Sequence, residues 1–263
     1  MKTSVVSLSG GLDSTSLMIH MLSRGYSVSA ISFLYGQKHA IEIEKAQENI
    51  IYLKDNGYAD HIKHRIINIK DPMSLISSAL INKELDIPEG HYNEDSMKDT
   101  VIPNRNAIFS SILYGYCLSI AAQDKSKVLL SLGVHAGDHS IYPDCRPEFY
   151  TSLYKAFNTG NWNSESIEFY MPYINLNKSD ILLDAKKCID SMGLNFKTIF
   201  KNTLTSYQPN SNGISSGRTG SDIERILAFN TIGEIDPIEY TEPWEVVLSN
   251  ALTIEKNYKS SNK

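Results

Sequence analysis

The sequence predicts an α/β chain, a doubly wound parallel sheet with a small helical subdomain at its C-terminal end. Three observations lead there. Residues 3–35 read strand, helix, strand, an opening that sets two parallel strands with a right-handed crossover. Short apolar runs and stretches of helical period keep alternating after it. Polar strings fall behind the predicted strands, at the edge where open α/β sheets hold ligands. At 263 residues the chain is long enough for one such domain with additions, or for a domain and a subdomain.

In chain order, residues 3–8 form a strand and 14–24 a helix with Leu17, Met18, Met21 and Leu22 on one face; VSAISFLY (28–35) is the second strand. A helical pattern over 38–54 leads to the strand HRIINI (64–69). The polar stretch 83–98, with Pro88, Gly90 and several acids, reads as a mobile loop over an open face. A long helix over 104–122, bearing Phe109, Leu113 and Leu118, precedes the strand VLLSLGV (128–134). Helix 147–158, strand 168–174 and helix 178–192 follow, the last capped by Asn177 or Ser179. Residues 208–221 are loop-like, 222–229 helical, and WEVVLSNALTI, in the stretch from Glu242 onward, is amphipathic.

Composition excludes several classes. No apolar run reaches the roughly 18–20 residues of a membrane span, and the chain enters its first strand without a signal-peptide pattern, so a cytoplasmic protein with no membrane partner is expected. A net charge of −5 without a block of Lys or Arg argues against nucleic acid as a partner. Cys117, Cys145 and Cys188 are far apart and form no CxxC pair, so they indicate neither a disulfide framework nor a zinc site.

The most informative stretch is SLSGGLDSTS (7–16). Gly10 and Gly11 permit positive φ and close approach, and the helix that Ser14, Thr15 and Ser16 open has amides without internal partners. Such a helix start binds anions, and Ser9 and Ser14 add hydroxyl donors. Leu8 to Ser16, with Leu12 between, is therefore a candidate phosphate cradle; a plain tight turn is the alternative. Asp13 beside phosphates calls for a cation such as Mg2+, or else it caps the helix. The string has neither the lysine of a P-loop nor the GxGxxG spacing.

Three more strings fall at strand ends. In VIPNRNAIF (101–109), Arg105 suits phosphate charge and Asn106 a base or ribose, a helix cap with a solvated arginine being the bland alternative. In IYPDCRPEF (141–149), Asp144 can accept both N–H groups of a guanine-like edge, Tyr142 or Phe149 can stack on it, and Arg146 can pair with a carboxylate. A local Asp144–Arg146 ion pair would be the structural reading, and Cys145 is a packed thiol. YGQKHAIEIEKA (35–46) offers Gln37 and His39, the latter able to handle a proton or to be a satisfied polar group.

With these strings the chain resembles the 7-cyano-7-deazaguanine synthases, the QueC family of PP-loop ATP pyrophosphatases, over nearly its whole length. SGGLDS is similar to their SGGxDS motif. The resemblance implies the adenine nucleotide alpha hydrolase-like fold, ATP with Mg2+, and 7-carboxy-7-deazaguanine as small-molecule substrate. It implies adenylation of that carboxylate, attack by ammonia to give an amide, and dehydration to the nitrile. Lys178 of NKSD resembles the lysine such enzymes bring to the phosphates, so Asp13, Arg105 and Lys178 are the candidate catalytic residues; a surface lysine is the alternative. His135, Asp138 and His139 are given supporting roles rather than metal ligation. QueC-like proteins of antiphage defence join the activated base to a protein amine instead, and a non-catalytic nucleotide-binding module is the third possibility. A homodimer is expected.

One departure stands out. The family closes with a four-cysteine zinc knuckle, whose positions align here with Ser206, Ser216, Thr219 and Asp222. No structural zinc is therefore expected. Residues 1–200 would form the ATP- and deazaguanine-binding domain and 201–263 a subdomain replacing the knuckle, stabilised by Trp244, Val246, Val247 and Leu252 of the C-terminal extension.

Overall fold

The computed structural model describes residues 2–37, 41–82, 85, 87–210 and 212–261. Five parallel strands, β1 (Thr3–Ser7), β2 (Ser27–Leu34), β3 (Ile62–Asn68), β4 (Val128–Ser131) and β5 (Ile167–Tyr170), lie in the order β3-β2-β1-β4-β5. The central strand explains the architecture. Val5 and Val6 are both fully buried, and because side chains alternate across a strand, Val6 packs into one core and Val5 into the other.

Helices cover both faces. α1 (Leu12–Ser23) and α6 (Lys178–Ser191) share the first core, where Leu17, Met18 and Met21 meet Ile181, Leu182 and Ala185; α2 (Ile41–Leu53) adds Ala46 and Ile50. α4 (Arg105–Asp124) and α5 (Pro147–Gly160) cover the other face through Leu113, Tyr114, Cys117 and Tyr150. Two short helices, α3 (Lys70–Met73) and α7 (Phe196–Lys201), lie where the sequence shows no sustained period. α8 (Gly220–Thr231) and α9 (Trp244–Ser261) complete the chain.

The boundaries differ from expectation where the site lies. β4 ends at Ser131 rather than residue 134, because the chain there turns over the start of α1: a side chain on Gly133 would meet the Asp13 carbonyl at 3.2 Å. β5 ends at Tyr170, and a turn follows in which the Ile174 amide bonds to the Met171 carbonyl. α1 begins at Leu12, two residues earlier than expected, with Gly11 at its N-cap and no side-chain cap. Asp13 thus sits inside the first turn and does not cap it. Of the two candidates at α6, Asn177 is the cap, in a capping box with Asp180.

Contacts cross residue 200. The Leu204 amide donates to the Gly10 carbonyl at 3.0 Å, and Asn49 Nδ2 reaches the carbonyls of Ile199 and Asn202. Fully buried Arg225 donates to both oxygens of Asp236 (2.6 and 2.9 Å), to Thr203 and Thr205, and to the Phe200 carbonyl. Such a guanidinium is tolerable only with this complete a partner set.

Of the four residues expected to pack the extension, Trp244 and Val247 do so and Val246 and Leu252 do not. Val247 and Ala251 are buried against Ile223 and Ile226 of α8 with Trp244 half-buried beside them, whereas Val246 and Leu252 are 51% and 46% exposed. The helical period explains this, since 244, 247 and 251 share one face. Deleting residues 244–263 should lower the melting temperature by several degrees, corresponding to about 1–2 kcal/mol for a chain of this size, as read by calorimetry.

Candidate functional site

A cavity of about 260 Å³ opens at the carboxyl ends of β1, β2 and β4. Ser9, Gly11, Asp13 and Ser14 form its floor, Tyr35, Glu42 and Arg105 one wall, Lys178 and Asp138 another, and Tyr92, Tyr142 and Tyr207 the far end. This is the strand-end crevice expected of an open α/β sheet.

The glycine turn is held from outside. Gly10 has φ +91°, and a Cβ there would collide with the carbonyl of Glu42 in α2. Ser9 and Ser14 hydroxyls lie 2.9 Å apart, Ser14 Oγ accepts the Ser9 amide at 3.1 Å, and Ser9 Oγ accepts the Gly11 amide at 3.2 Å. Leu8 lines the cavity too, its carbonyl accepting the Ser32 hydroxyl. Leu12, Thr15 and Ser16 are buried outside the lining, Ser16 donating to the Leu12 carbonyl at 2.8 Å. They build the helix start rather than the cavity wall.

Above this floor lies a cluster of charge. Lys178 Nζ is 2.7 Å from Glu224 and 3.4 Å from Asp13; His135 Nε2 is 3.6 Å from both Asp13 and Asp138. Burial disfavours the ammonium of Lys178, yet Asp13, Glu224 and Asp138 outweigh it and hold the group above its ordinary range. His135 follows the same logic: burial opposes its charge, but Asp138, Asp13 and Glu224 raise its pKa above 6.5. In the neutral ring Nδ1 accepts the Gly137 amide at 3.1 Å and the Nε2 proton faces the carboxylates; charging the ring gives up that amide bond in exchange for a full positive charge against them. Asp138, despite burial, is held below its ordinary range by His135, Lys178 and the Tyr92 hydroxyl at 2.7 Å. Asp13 Oδ1 is buried with no hydrogen-bond partner.

Arg105, the first residue of α4, and Asn106 both line the cavity. Asn106 reaches the Asp144 carbonyl and Cys145 Sγ at 3.3 Å each. Tyr142 is bonded to Thr100 (2.6 Å) and Tyr207 (3.1 Å). Burial pushes the Cys145 thiol up, in keeping with a packed group. Gln37 lines the cavity with its carbonyl oxygen on the Tyr35 amide at 2.9 Å, and His39 lies outside the described residues.

Three expected substrate contacts fall elsewhere. Asp144 is outside the cavity lining, its Oδ2 accepting the Asn106 amide at the start of α4. Arg146 is exposed and donates to the His139 carbonyl at 2.7 Å rather than to Asp144. Phe149 packs in the core behind α4, and Tyr150 faces the cavity instead. The cause is local: residues 143–145 form a tight turn leading into α5, so successive side chains of the string face different ways.

The sequence reading passed over Tyr35, Glu42, Tyr92, Tyr207 and Glu224. Glu42 stands in the quoted YGQKHAIEIEKA string, its carboxyl pushed up to about 8 by burial against the opposing pull of Arg105. Tyr92 comes from the polar stretch read as a loop; next to it, His91 bonds to Glu255 at 2.8 Å and stacks on Tyr258 of α9. Away from the cavity, His20, Asp184 and Cys188 gather as metal ligands could, but His20 is spent on Asp184 (2.6 Å) and Tyr170 (2.8 Å). Among the described residues no helix is long and apolar enough to cross a membrane.

Against known proteins, residues 3–233 match the family model described as queuosine biosynthesis protein QueC. The 7-cyano-7-deazaguanine synthase of Methanoregula boonei is 41% identical over 236 residues, 90% of this chain and 98% of that one. That of Caldicellulosiruptor saccharolyticus is 40% identical over 90% of this chain and 94% of its own. Among solved structures, a 4-thiouridine synthetase in complex with RNA and bound ATP aligns with 96% of this chain and 53% of that one, at 16% identity and a TM-score of 0.45.

The cluster predicts a pH dependence. A histidine whose folded pKa is raised adds stability that is complete below about 6.5 and is lost as pH rises through the raised value. The melting-temperature difference between the protein and His135→Gln should therefore be largest below that point and shrink toward alkaline pH. A difference constant with pH would show that His135 contributes by packing alone.

Proposed function

The chain belongs to the QueC family, and from that premise we propose that it adenylates the carboxylate of 7-carboxy-7-deazaguanine with ATP and passes the activated acyl group to an amine. The observation that carries this reading is the meeting, in one cavity, of an uncapped helix start behind a glycine turn, a buried lysine and a carboxylate oxygen without a partner.

In the first step a substrate carboxylate oxygen attacks the α-phosphorus of ATP and pyrophosphate leaves. The amides of the Gly10–Gly11 turn and the first turn of α1, with the Ser9 and Ser14 hydroxyls, suit the polyphosphate. Lys178 and Arg105 supply fixed positive charge for the departing pyrophosphate. The residues present also fit magnesium: Asp13 would hold it through its unpartnered oxygen, and the ion would neutralise phosphate charge. In the second step the amine attacks the acyl carbon and AMP leaves, giving an amide; with ammonia, a second ATP carries the amide to the nitrile.

The base end is redrawn from the expectation. Aromatic groups of the lining include Tyr142, Tyr92 and Tyr207, with Tyr35, Tyr150 and the stacked pair Phe33–Phe109, at 4.2 Å between centroids. Asn106 and Asp138 are the polar groups beside them, so a planar heterocycle is to be stacked and read there rather than at Arg146 or Phe149. Glu42, its carboxyl pushed up by burial against the opposing pull of Arg105, completes the lining.

Incubation with ATP, magnesium and 7-carboxy-7-deazaguanine, with and without ammonium, should yield AMP and pyrophosphate, and with ammonium the amide or nitrile by mass spectrometry. ADP and phosphate as products would overturn the reading. Asp13→Asn should reduce turnover at least tenfold, measured at a temperature where the variant is fully folded; an unchanged rate would remove Asp13 from the chemistry.

A further inference from the structure

The four positions that align with the family's zinc cysteines come together around one oxygen atom. Asp222 Oδ2 accepts the hydroxyls of Thr219 (2.8 Å), Ser206 (3.1 Å) and Ser216 (3.4 Å) and the Thr219 amide (3.2 Å). Each hydroxyl oxygen in turn accepts an amide from a residue just downstream. Gln208 donates to Ser206 at 3.3 Å, Arg218 to Ser216 at 3.2 Å, and Asp222 to Thr219 at 3.4 Å. Thr219 and Asp222 are fully buried and Ser206 is 2% exposed.

This donor set does not fit zinc. Alcohol side chains keep their protons at neutral pH, whereas structural zinc sites are built from thiolates and imidazoles. The single carboxylate oxygen that faces the hydroxyls already receives four donors. Asp222 Oδ1, buried without a partner, is one more oxygen and makes no tetrahedral set.

We propose that the Asp222 carboxylate is a metal-free tie, gathering the 206 turn, the 216–219 turn and the start of α8 as a zinc ion with four thiolates would. The tie has a positioning consequence. Ser206 lies between Thr205 and Tyr207, both in the cavity wall, and Tyr207 is bonded to Tyr142. Two residues beyond Asp222, Glu224 pairs with Lys178. One buried carboxylate therefore sets the height of α8 against the charge cluster and the height of Tyr207 against the base end.

The test reads the unliganded full chain and does not rest on the reaction proposed above. Elemental analysis of the purified protein should find no stoichiometric zinc, and a strong chelator should leave the melting temperature unchanged. Asp222→Ala should lower that temperature by several degrees and speed hydrogen exchange at the amides of residues 206–219. A second protein, carrying Ser206→Cys, Ser216→Cys, Thr219→Cys and Asp222→Cys together, should take up one zinc per chain and acquire a chelator-sensitive melting temperature. One zinc per chain in the unaltered protein, lost with stability on chelation, would overturn the proposal. A folded Asp222→Ala with unchanged melting and exchange would do the same, as would a folded four-cysteine protein that binds no zinc. Should Asp222→Ala fail to fold, the zinc content and the four-cysteine protein still decide.

Discussion

The structure depends on one close approach, that of the Gly10 backbone to the carbonyl of Glu42. No side chain fits between them, and the positive φ at Gly10 is one that only glycine takes without strain. Three separate pieces of the chain meet there: β1 delivers the turn, α2 presses on it, and the Leu204 amide closes on the Gly10 carbonyl. Because the turn is held by backbone from α2 and Leu204 and by the Ser9 and Ser14 hydroxyls, the first amides of α1 stay where the strand leaves them. They need no cap, and a ligand can be that cap.

Around this floor the protein concentrates charge at a cost it has to offset locally. Asp13, Asp138 and Glu224 face Lys178 and His135 in a largely buried cluster, and each member is tolerable only because the others are present. Such a cluster is already oriented before any ligand arrives. A transferring phosphoryl group would meet fixed dipoles and charges instead of reorganising water, which is where electrostatic catalysis gains most.

Much of the fold and part of the site were legible in the sequence. The βαβ opening, the parallel strands it sets and the glycine turn depend on local pattern, which period and composition report directly. Arg105, Asn106, Tyr142 and Lys178 were legible for the same reason, each standing at a predicted element start or strand end. Asp144, Arg146 and Phe149 stand outside the cavity lining because a tight turn running into α5 splays the string over several surfaces. Tyr92, Tyr207 and Glu224 come from distant segments whose convergence no local spacing encodes. Ser206, Ser216, Thr219 and Asp222 are the intermediate case, for the family resemblance implies what they replace and only the structure shows what they bond to.

The partner set of Arg225 has a kinetic meaning. Its contacts at Phe200, Thr203, Thr205 and Asp236 all lie within 25 residues of it in sequence, whereas β1 waits for β4 across more than 120 residues. Short loops close at smaller entropic cost, so the segment from 200 to 240 has the shorter route to order. A guanidinium cannot stay half-desolvated without loss, which makes this closure cooperative. Closing this short loop also sets Leu204, whose amide reaches the Gly10 carbonyl, so order gained around Arg225 is passed to the glycine turn.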